Sequence, residues 1–270
     1  MSSSSNQSQQ VSLQQVIAEV NTHLRQARVF GLPNDWFVGL ASPVQAEAVH
    51  SPSAPESVSE SVSMPASSTS SPLEGDDWSQ DSRTAKLRTL ETLSQSCTKC
   101  RLCETRKNVV FGVGHTVSPQ IAFVGEGPGA DEDRVGEPFV GKAGMLLTAA
   151  ITKGLGLQRS EVYICNVVKC RPPENRTPLP DEVAACSPYL FEQLELIRPK
   201  VIIALGGPAM QTLTGVQGGI TKLRGKWLEW KGIKVMPTFH PAYILRNPPA
   251  KKDFWEDLQQ VMRELGLPAA

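Results

Sequence analysis

The feature that most constrains the fold is a regular alternation of apolar runs and helical patterns from about Thr84 onward. The apolar runs are Ile121 to Gly125, Val162 to Val168, Val201 to Leu205 and Ile233 to Phe239. Helical patterns cover Lys142 to Leu155, Asp181 to Ile197, Pro208 to Thr214 and Lys251 to Leu265. This order predicts a parallel sheet with helices on both faces. We therefore expect residues 84–270 to form an α/β domain of three α/β/α layers around a central, mainly parallel four-stranded sheet.

The residues before this domain have a different character. Residues 1–40 form an extension in which Val11 to Arg28 has the pattern of an amphipathic helix. Two interpretations of that helix are equally supported: it packs on the main domain, or it docks on a partner protein. Residues 41–83 are dominated by Ser, Pro, Ala and acidic residues, a composition typical of a disordered linker.

The charge is unevenly distributed along the chain. The 27 basic and 27 acidic residues cancel, but residues 1–82 carry two basic residues against nine acidic ones. The remaining residues carry 25 basic against 18 acidic residues, which suits a domain that binds a polyanion, although many metabolic enzymes are equally basic. The start MSSSSNQSQQ has no export signal, and no apolar run is long enough to cross a bilayer. We expect an intracellular protein with no membrane partner.

Six cysteines are the second strong signal. Without an export signal they are better explained as metal ligands or buried thiols than as disulfides. A C-x-x-C pair with two further thiolates would complete a four-sulfur site for zinc or for an iron–sulfur cluster, which spacing does not separate. Buried or redox-active thiols are the alternative. The first three also mimic part of a ferredoxin pattern, which leaves the ligand set open among Cys97, Cys100, Cys103, Cys165, Cys170 and Cys186.

Four loops follow the predicted strands, and in a parallel sheet they lie at one edge, where ligands usually bind. They begin at GEGPGADED, at Asn166, at GGPAM and at His240. The glycine-rich loop does not match a dinucleotide fingerprint, because Pro128 interrupts it. It does not match a phosphate-binding loop either, since Lys142 is followed by Ala143. Its carboxylates would repel phosphate and suit an uncharged ring, an oriented water or a developing cation.

Taken together, four motifs resemble those of the family 4 uracil-DNA glycosylases, the iron–sulfur members of the uracil-DNA glycosylase superfamily. The motifs are CTKC, GEGPGADEDRVGEPFVGKAG, ICNVVKCRPPENRTP and HPAYILRN, and the resemblance covers about Leu87 to Leu265. It implies a monomeric, monofunctional DNA repair enzyme. Such an enzyme turns uracil out of DNA, hydrolyses its N-glycosidic bond and leaves an abasic site.

The resemblance also implies a cofactor, a 4Fe-4S cluster with a structural role. Its expected ligands are Cys97, Cys100, Cys170 and Cys186. Cys103 and Cys165 fall where the family needs no ligand.

For the base, the resemblance implies a pocket in which Asn166 pairs with the Watson–Crick edge of uracil and Phe139 stacks on the ring. His240 is expected to donate to uracil O2, and Glu126 to orient the water with help from backbone amides. The loop offers Glu126 and Glu132 as candidate catalytic acids; with Glu126 chosen for the water, our hypothesis for Glu132 is a position near uracil C5, where it would disfavour thymine. The best-known branch of the superfamily has an aspartate where this chain has Gly127. The remaining pocket residues are Gly125, Gly127 and Asn175.

The DNA contacts implied by the resemblance follow the same motifs. Ile244 and Leu245 are candidates for the apolar wedge that fills the gap left by the flipped base. The candidates for phosphate contacts are Lys142, Arg171, Arg176 and Arg246.

Two other classes of protein remain as alternatives. One is a noncatalytic DNA-binding or regulatory module that keeps the fold and the cluster. The other is a nucleotide-binding metabolic enzyme of doubly wound fold, against which the missing phosphate-loop lysine argues.

Overall fold

The computed structural model of the protein describes residues 79–268. The amphipathic helix predicted at Val11 to Arg28 and most of the predicted linker lie outside these residues. Helix α1 spans Gln80–Gln95 and so begins ahead of the expected domain boundary at residue 84. Across residues 79–268, no helix has both the length and the apolar character needed to cross a membrane.

The predicted parallel sheet is confirmed. Its four central strands are β2 (Ile121–Gly125), β3 (Tyr163–Asn166), β4 (Val201–Leu205) and β6 (Ile233–Thr238). All three pairings among them are parallel. Two short edge strands, β1 (Val113–Gly114) and β5 (Leu228–Trp230), pair antiparallel and extend the order to β1-β3-β2-β4-β6-β5. The sheet of the described residues therefore has six strands rather than four.

The helices after α1 surround this sheet. They are α2 (Ala130–Val135), α3 (Lys142–Ala149), α4 (Pro180–Ile197), α5 (Gly207–Thr214), α6 (Ile220–Leu223), α7 (Pro241–Arg246) and α8 (Ala250–Leu265). A π-helical turn over Ala150–Gly154 continues α3. The four predicted helices are confirmed to within a few residues.

Successive residues of β2 pack into different cores, which confirms the three layers. Ala122 and Val124 belong to one cluster of buried residues, which includes Leu90 of α1 and Leu190 of α4. Ile121 and Phe123 belong to the other, which includes residues of α3 and α8 such as Leu147 and Phe254. Because both faces of β2 are covered, all its residues are buried and the strand has no polar alternation.

The register of the strands aligns their carboxyl ends. Gly125 of β2 is opposite Asn166 of β3, and Leu205 of β4 is opposite Thr238 of β6. The loops that carry the glycines, Asn166 and His240 therefore leave the sheet at one edge, as the sequence predicted.

Candidate active site

Asn166 ends β3 as a buried amide with incomplete hydrogen bonding. Its side chain is 1% exposed, and its Oδ1 has no hydrogen-bond partner among the described residues. Leaving a buried polar atom unpaired costs about 1–3 kcal/mol. An unpaired buried acceptor at the carboxyl edge of a sheet indicates a position where a bound ligand donates the missing hydrogen bond.

Gly125 brings Asn166 and Phe139 together. A Cβ placed on Gly125 would overlap Asn166 Oδ1 and lie 2.6 Å from Phe139 Cζ. The amide oxygen and the edge of the aromatic ring thus both approach the same backbone position. Only glycine leaves room for this arrangement.

The turn that presents Phe139 is strained and braced from both sides. Phe139 has φ of +55°, a left-handed conformation that costs a non-glycine residue about 1–3 kcal/mol. Glu132 Oε1 accepts hydrogen bonds from the N–H groups of Val140 and Gly141 at 3.0 Å each, immediately after the ring. Oε2 accepts from the N–H of Gly129 at 3.1 Å. The carboxylate of Glu132 therefore ties the glycine-rich loop to the turn of Phe139.

Arg159 holds the other side of this turn and was not identified from the sequence. Its guanidinium donates from Nη2 to the carbonyl of Pro138 and from Nη1 to Thr148 Oγ1 at 3.3 Å. Burial lowers the pKa of Arg159, an effect opposed by the carboxylates of Glu137 and Glu132. A single arginine in LGLQRSEV carries no motif, and its partners lie in the turn of Phe139 and in α3, so nothing in the sequence pattern indicates this role.

His240 lies beside Phe139, with the centroids of the two rings 5.6 Å apart. It caps α7 through Nδ1, which accepts the N–H of Ala242 at 3.1 Å. Burial lowers the pKa of His240 from 6.5 to about 4, helped by Arg246 and opposed by Glu132. The imidazole is therefore neutral near pH 7. With Nδ1 as acceptor, its proton is on Nε2, which is a hydrogen-bond donor.

A buried polar network stabilises the end of β6, the strand that precedes His240. Thr238 Oγ1 donates to Asp257 Oδ2 at 2.6 Å, and both side chains are fully buried. Arg224 donates to the same carboxylate from Nε at 2.9 Å and from Nη2 at 2.6 Å. Sequence reasoning missed this network, because its members are far apart in the chain and belong to no motif.

Glu126 follows Gly125 and is partly buried. Burial raises the pKa of its carboxyl group, and a hydrogen bond with Thr177 opposes the shift. A Cβ on the next residue, Gly127, would come within 2.7 Å of Val168 Cγ2. A side chain at that position would need the neighbouring loop to move, which gives a physical reason why glycine stands there.

The loop after β3 uses its polar side chains internally. Arg176 pairs with the fully buried carboxylate of Glu182 through Nη1 at 2.8 Å and Nη2 at 2.7 Å. Arg171 Nε donates to Asn175 Oδ1 at 2.8 Å, and Asn175 is exposed. Arg176 is thus committed to stabilising the loop, which leaves Arg171 as the better candidate for a phosphate contact.

The structure corrects one part of the predicted DNA wedge. Ile244 is 2% exposed and packs in the core with α3 and α8, so it is not available for insertion into DNA. Leu245 is 47% exposed, beside the exposed Arg246. Lys142, at the start of α3, is also exposed. Of the two residues predicted to insert into DNA, Leu245 is therefore the remaining candidate.

A pocket between α1 and α4 gathers most of the thiols. Arg106 lies at this pocket and donates to the carbonyl of Cys97 at 2.7 Å and to Cys170 Sγ at 3.3 Å. Within residues 79–268, no three His, Cys, Asp or Glu side chains are placed to hold a single metal ion. Cys165 is buried elsewhere, whereas five cysteines line the pocket together with three cationic residues: Cys97, Cys100, Cys103, Cys170, Cys186, Lys99, Arg106 and Lys169.

The thiols of this pocket need positive charge to ionise. Burial raises the pKa of Cys170 to about 11, and it raises the pKa of Cys100 and Cys186. Iron in a cluster supplies that charge, and each thiolate of a 4Fe-4S cluster binds a different iron, so the four sulfurs do not need to converge on one point. The donor set therefore fits such a cluster.

Comparison with known proteins agrees with this site. The model of the uracil DNA glycosylase superfamily matches residues 111–259. A type-4 uracil-DNA glycosylase of Thermotoga maritima is 54% identical over 155 residues, which cover 57% of this chain and 80% of that protein. One of Sulfurisphaera tokodaii is 48% identical over 180 residues, covering 64% of this chain and 81% of that protein. A type-5 uracil-DNA glycosylase of Pyrobaculum aerophilum is 32% identical over 147 residues, which cover 48% of this chain and 65% of that protein.

The fold and the edge-of-sheet site thus define a member of the uracil-DNA glycosylase superfamily, and within it the chain belongs to the type-4 uracil-DNA glycosylases.

Proposed function

We propose that this protein removes uracil from DNA by hydrolysing the N-glycosidic bond of a flipped-out nucleotide, leaving an abasic site. The observation that carries the proposal is the unpaired, buried Oδ1 of Asn166 beside the ring of Phe139. In this position the amide accepts from uracil N3–H and donates to O4, while the ring stacks on the base. Cytosine presents an amino donor and a bare N3, and so leaves this arrangement unpaired at about 1–3 kcal/mol per buried group.

Cleavage of the bond between C1′ and N1 leaves the electron pair on uracil and positive charge on the sugar. The neutral imidazole of His240 donates from Nε2 to uracil O2 and stabilises the departing anion. Glu126 orients the water that attacks C1′ and favours the developing cation. Lys169 donates to the backbone of Asn166, so it is not placed as an amine nucleophile, and we propose hydrolysis without strand cleavage.

For Glu132, bracing is the role that its contacts support. Its three hydrogen bonds to backbone N–H groups hold the turn of Phe139 in place. The contact with uracil C5 that would disfavour thymine stays a prediction.

The pH dependence tests the role of Glu126. Because burial raises its pKa, uracil release should fall with decreasing pH at a higher pH than for an ordinary glutamate. Glu126→Gln should remove this acid limb from the profile of kcat/KM and lower the rate at neutral pH by about 10- to 100-fold. The control is Glu229→Gln on the exposed edge strand. An unchanged acid limb in Glu126→Gln would assign the titration to another group.

We further propose that the thiol pocket holds a 4Fe-4S cluster bound by Cys97, Cys100, Cys170 and Cys186. The cluster would supply a structural cross-link between the segment before the sheet and the loop after β3. Helix α1, which ends just before Cys97, and α4, which carries Cys186, share one cluster of buried residues that includes Leu87, Leu90 and Leu190.

Iron analysis tests the ligand set. The purified protein should be brown, with iron and sulfide in equal amounts, and Cys186→Ser should lose most of both. Cys103→Ser is the matched control, because Cys103 lines the same pocket but is not an expected ligand. Loss of iron from Cys103→Ser, or full retention in Cys186→Ser, would contradict the proposed set.

On the DNA side, we propose that Leu245 fills the gap in the duplex and that Lys142, Arg171 and Arg246 contact phosphates. The exposure of Leu245, Lys142 and Arg246, the partial exposure of Arg171 and the basic excess of residues 83–270 support this. The protein partner proposed for the extension involves residues outside the described part of the chain.

A base-release assay on single- and double-stranded oligonucleotides containing uracil tests the proposed activity directly. Release of free uracil with an intact strand is expected. Tight binding to uracil-DNA without base release would favour the noncatalytic module instead.

A further inference from the structure

Lys169 is a buried lysine that contacts the backbone of Asn166. Its side chain is 2% exposed, although lysine is seldom buried to this extent unless it is paired. Its Nζ donates to the carbonyl of Asn166 at 2.8 Å. The ammonium therefore reaches back along the chain and holds the residue whose amide faces the base.

The main chain of Lys169 belongs to the thiol pocket. Its N–H donates to Cys186 Sγ at 3.3 Å, and its carbonyl accepts the N–H of Val110 at 2.8 Å. Lys169 is also one of the residues that line the pocket. A single residue thus touches both the thiol pocket and the end of β3.

The side chain of Lys169 lies among an aromatic ring and thiols. None of the ion pairs found among residues 79–268 includes Lys169. Its neighbours are the ring of Phe111, 5.9 Å from Nζ, and the thiols of Cys165, Cys170 and Cys186. Among the described residues, the hydrogen bond that Lys169 Nζ makes is the one to the carbonyl of Asn166.

We propose that Lys169 is a positioning residue, which links the thiol pocket to Asn166 by holding the backbone of that residue with a hydrogen bond from its buried side chain. The inference rests on the proposed base-recognition role of Asn166. The side-chain amide can match the edge of uracil only if its backbone is held, since Oδ1 has no other partner to orient it. Lys169 therefore contributes to the preference for uracil without touching the base.

A double-mutant cycle tests this. Lys169→Met removes the donor and its charge while keeping an unbranched apolar stem. We expect it to keep its iron and its fold and to release uracil about 10- to 100-fold more slowly, because the hydrogen bond that holds the backbone of Asn166 is lost. Inhibition by free uracil should weaken in parallel. In an Asn166→Ala background, the same substitution should change the rate less than threefold, because its effect passes through Asn166.

Lys99→Met is the matched control. Lys99 lines the same pocket, but its Nζ lies over the ring of Tyr189, 4.7 Å from the centroid. It should leave uracil release within about twofold in both backgrounds, which separates positioning from a general effect of charge near the thiols.

Three results would overturn the proposal: equal losses from Lys169→Met in both backgrounds, a rate within twofold of the wild type, or loss of iron or fold in Lys169→Met. The last would assign the lysine to retention of the cluster alone. Asn166→Ala by itself tests the base-recognition role, so failure of that role is distinguishable from failure of the coupling.

Discussion

Asn166→Asp should release uracil at least about 100-fold more slowly than the wild type. The substitution replaces the amide donor to uracil O4 with a carboxylate oxygen, which repels O4 in a buried site. Two mismatched or unpaired groups at about 1–3 kcal/mol each give a loss of this size. Single-turnover assays on a uracil-containing oligonucleotide measure the effect on the bond-cleaving step.

Iron content, circular dichroism and affinity for uracil-free DNA serve as the controls for Asn166→Asp. All three should match the wild type, because Asn166 lies at the strand end and its Oδ1 has no hydrogen-bond partner among the described residues. Activity within twofold of the wild type would remove Asn166 from base recognition, and with it the main support for the pocket.

His240→Ala should lower the rate of uracil release by about 100- to 1000-fold, the usual cost of removing a donor to a developing oxyanion. The rate should show no inflection from His240 between about pH 5 and 8, since its pKa is lowered from 6.5 to about 4. The exposed His115 offers a control, and His115→Ala should be neutral. An inflection near pH 6.5 that disappears in His240→Ala would show that the cationic form takes part.

The lowered pKa of His240 also makes the stability of the folded protein depend on pH. The unfolded chain takes up a proton at its ordinary pKa of 6.5, whereas the folded protein does so only near pH 4. The contribution of His240 to stability is therefore fully present above pH 6.5 and is lost progressively as the pH falls toward 4. Denaturant titrations of the wild type and His240→Ala across this range measure the difference.

The central strands were predictable because both faces of each are covered, which leaves continuous apolar runs such as IAFVG and VIIAL. The edge strands β1 and β5 are two and three residues long and have no such run. Helix α1 was missed because its sequence is largely polar, with Leu87 and Leu90 as its buried leucines. Its position depends on packing against α4, which a local pattern does not contain.

The residues of the site also fall into two groups, those that could be identified from the sequence and those that could not. Asn166 and His240 could be identified because each follows a predicted strand inside a recognisable motif. Arg159 and Asp257 could not, because each acts through hydrogen bonds to residues distant in sequence. Both Ile244 and Leu245 were predicted as the wedge, and only Leu245 remains, because the register of α7 turns Ile244 toward the core and the motif does not fix that register.

The strained turn of Phe139 has a consequence for the timing of recognition. Because Glu132 and Arg159 hold the turn of Phe139, the ring is ordered when the chain folds and not when the pyrimidine binds. In the proposed stacking role of Phe139, the arriving nucleotide meets a preformed surface, and little of the attraction between ring and base is spent on ordering side chains. The departing uracil leaves behind a cleft of unchanged shape, which accepts the next flipped base without rearrangement.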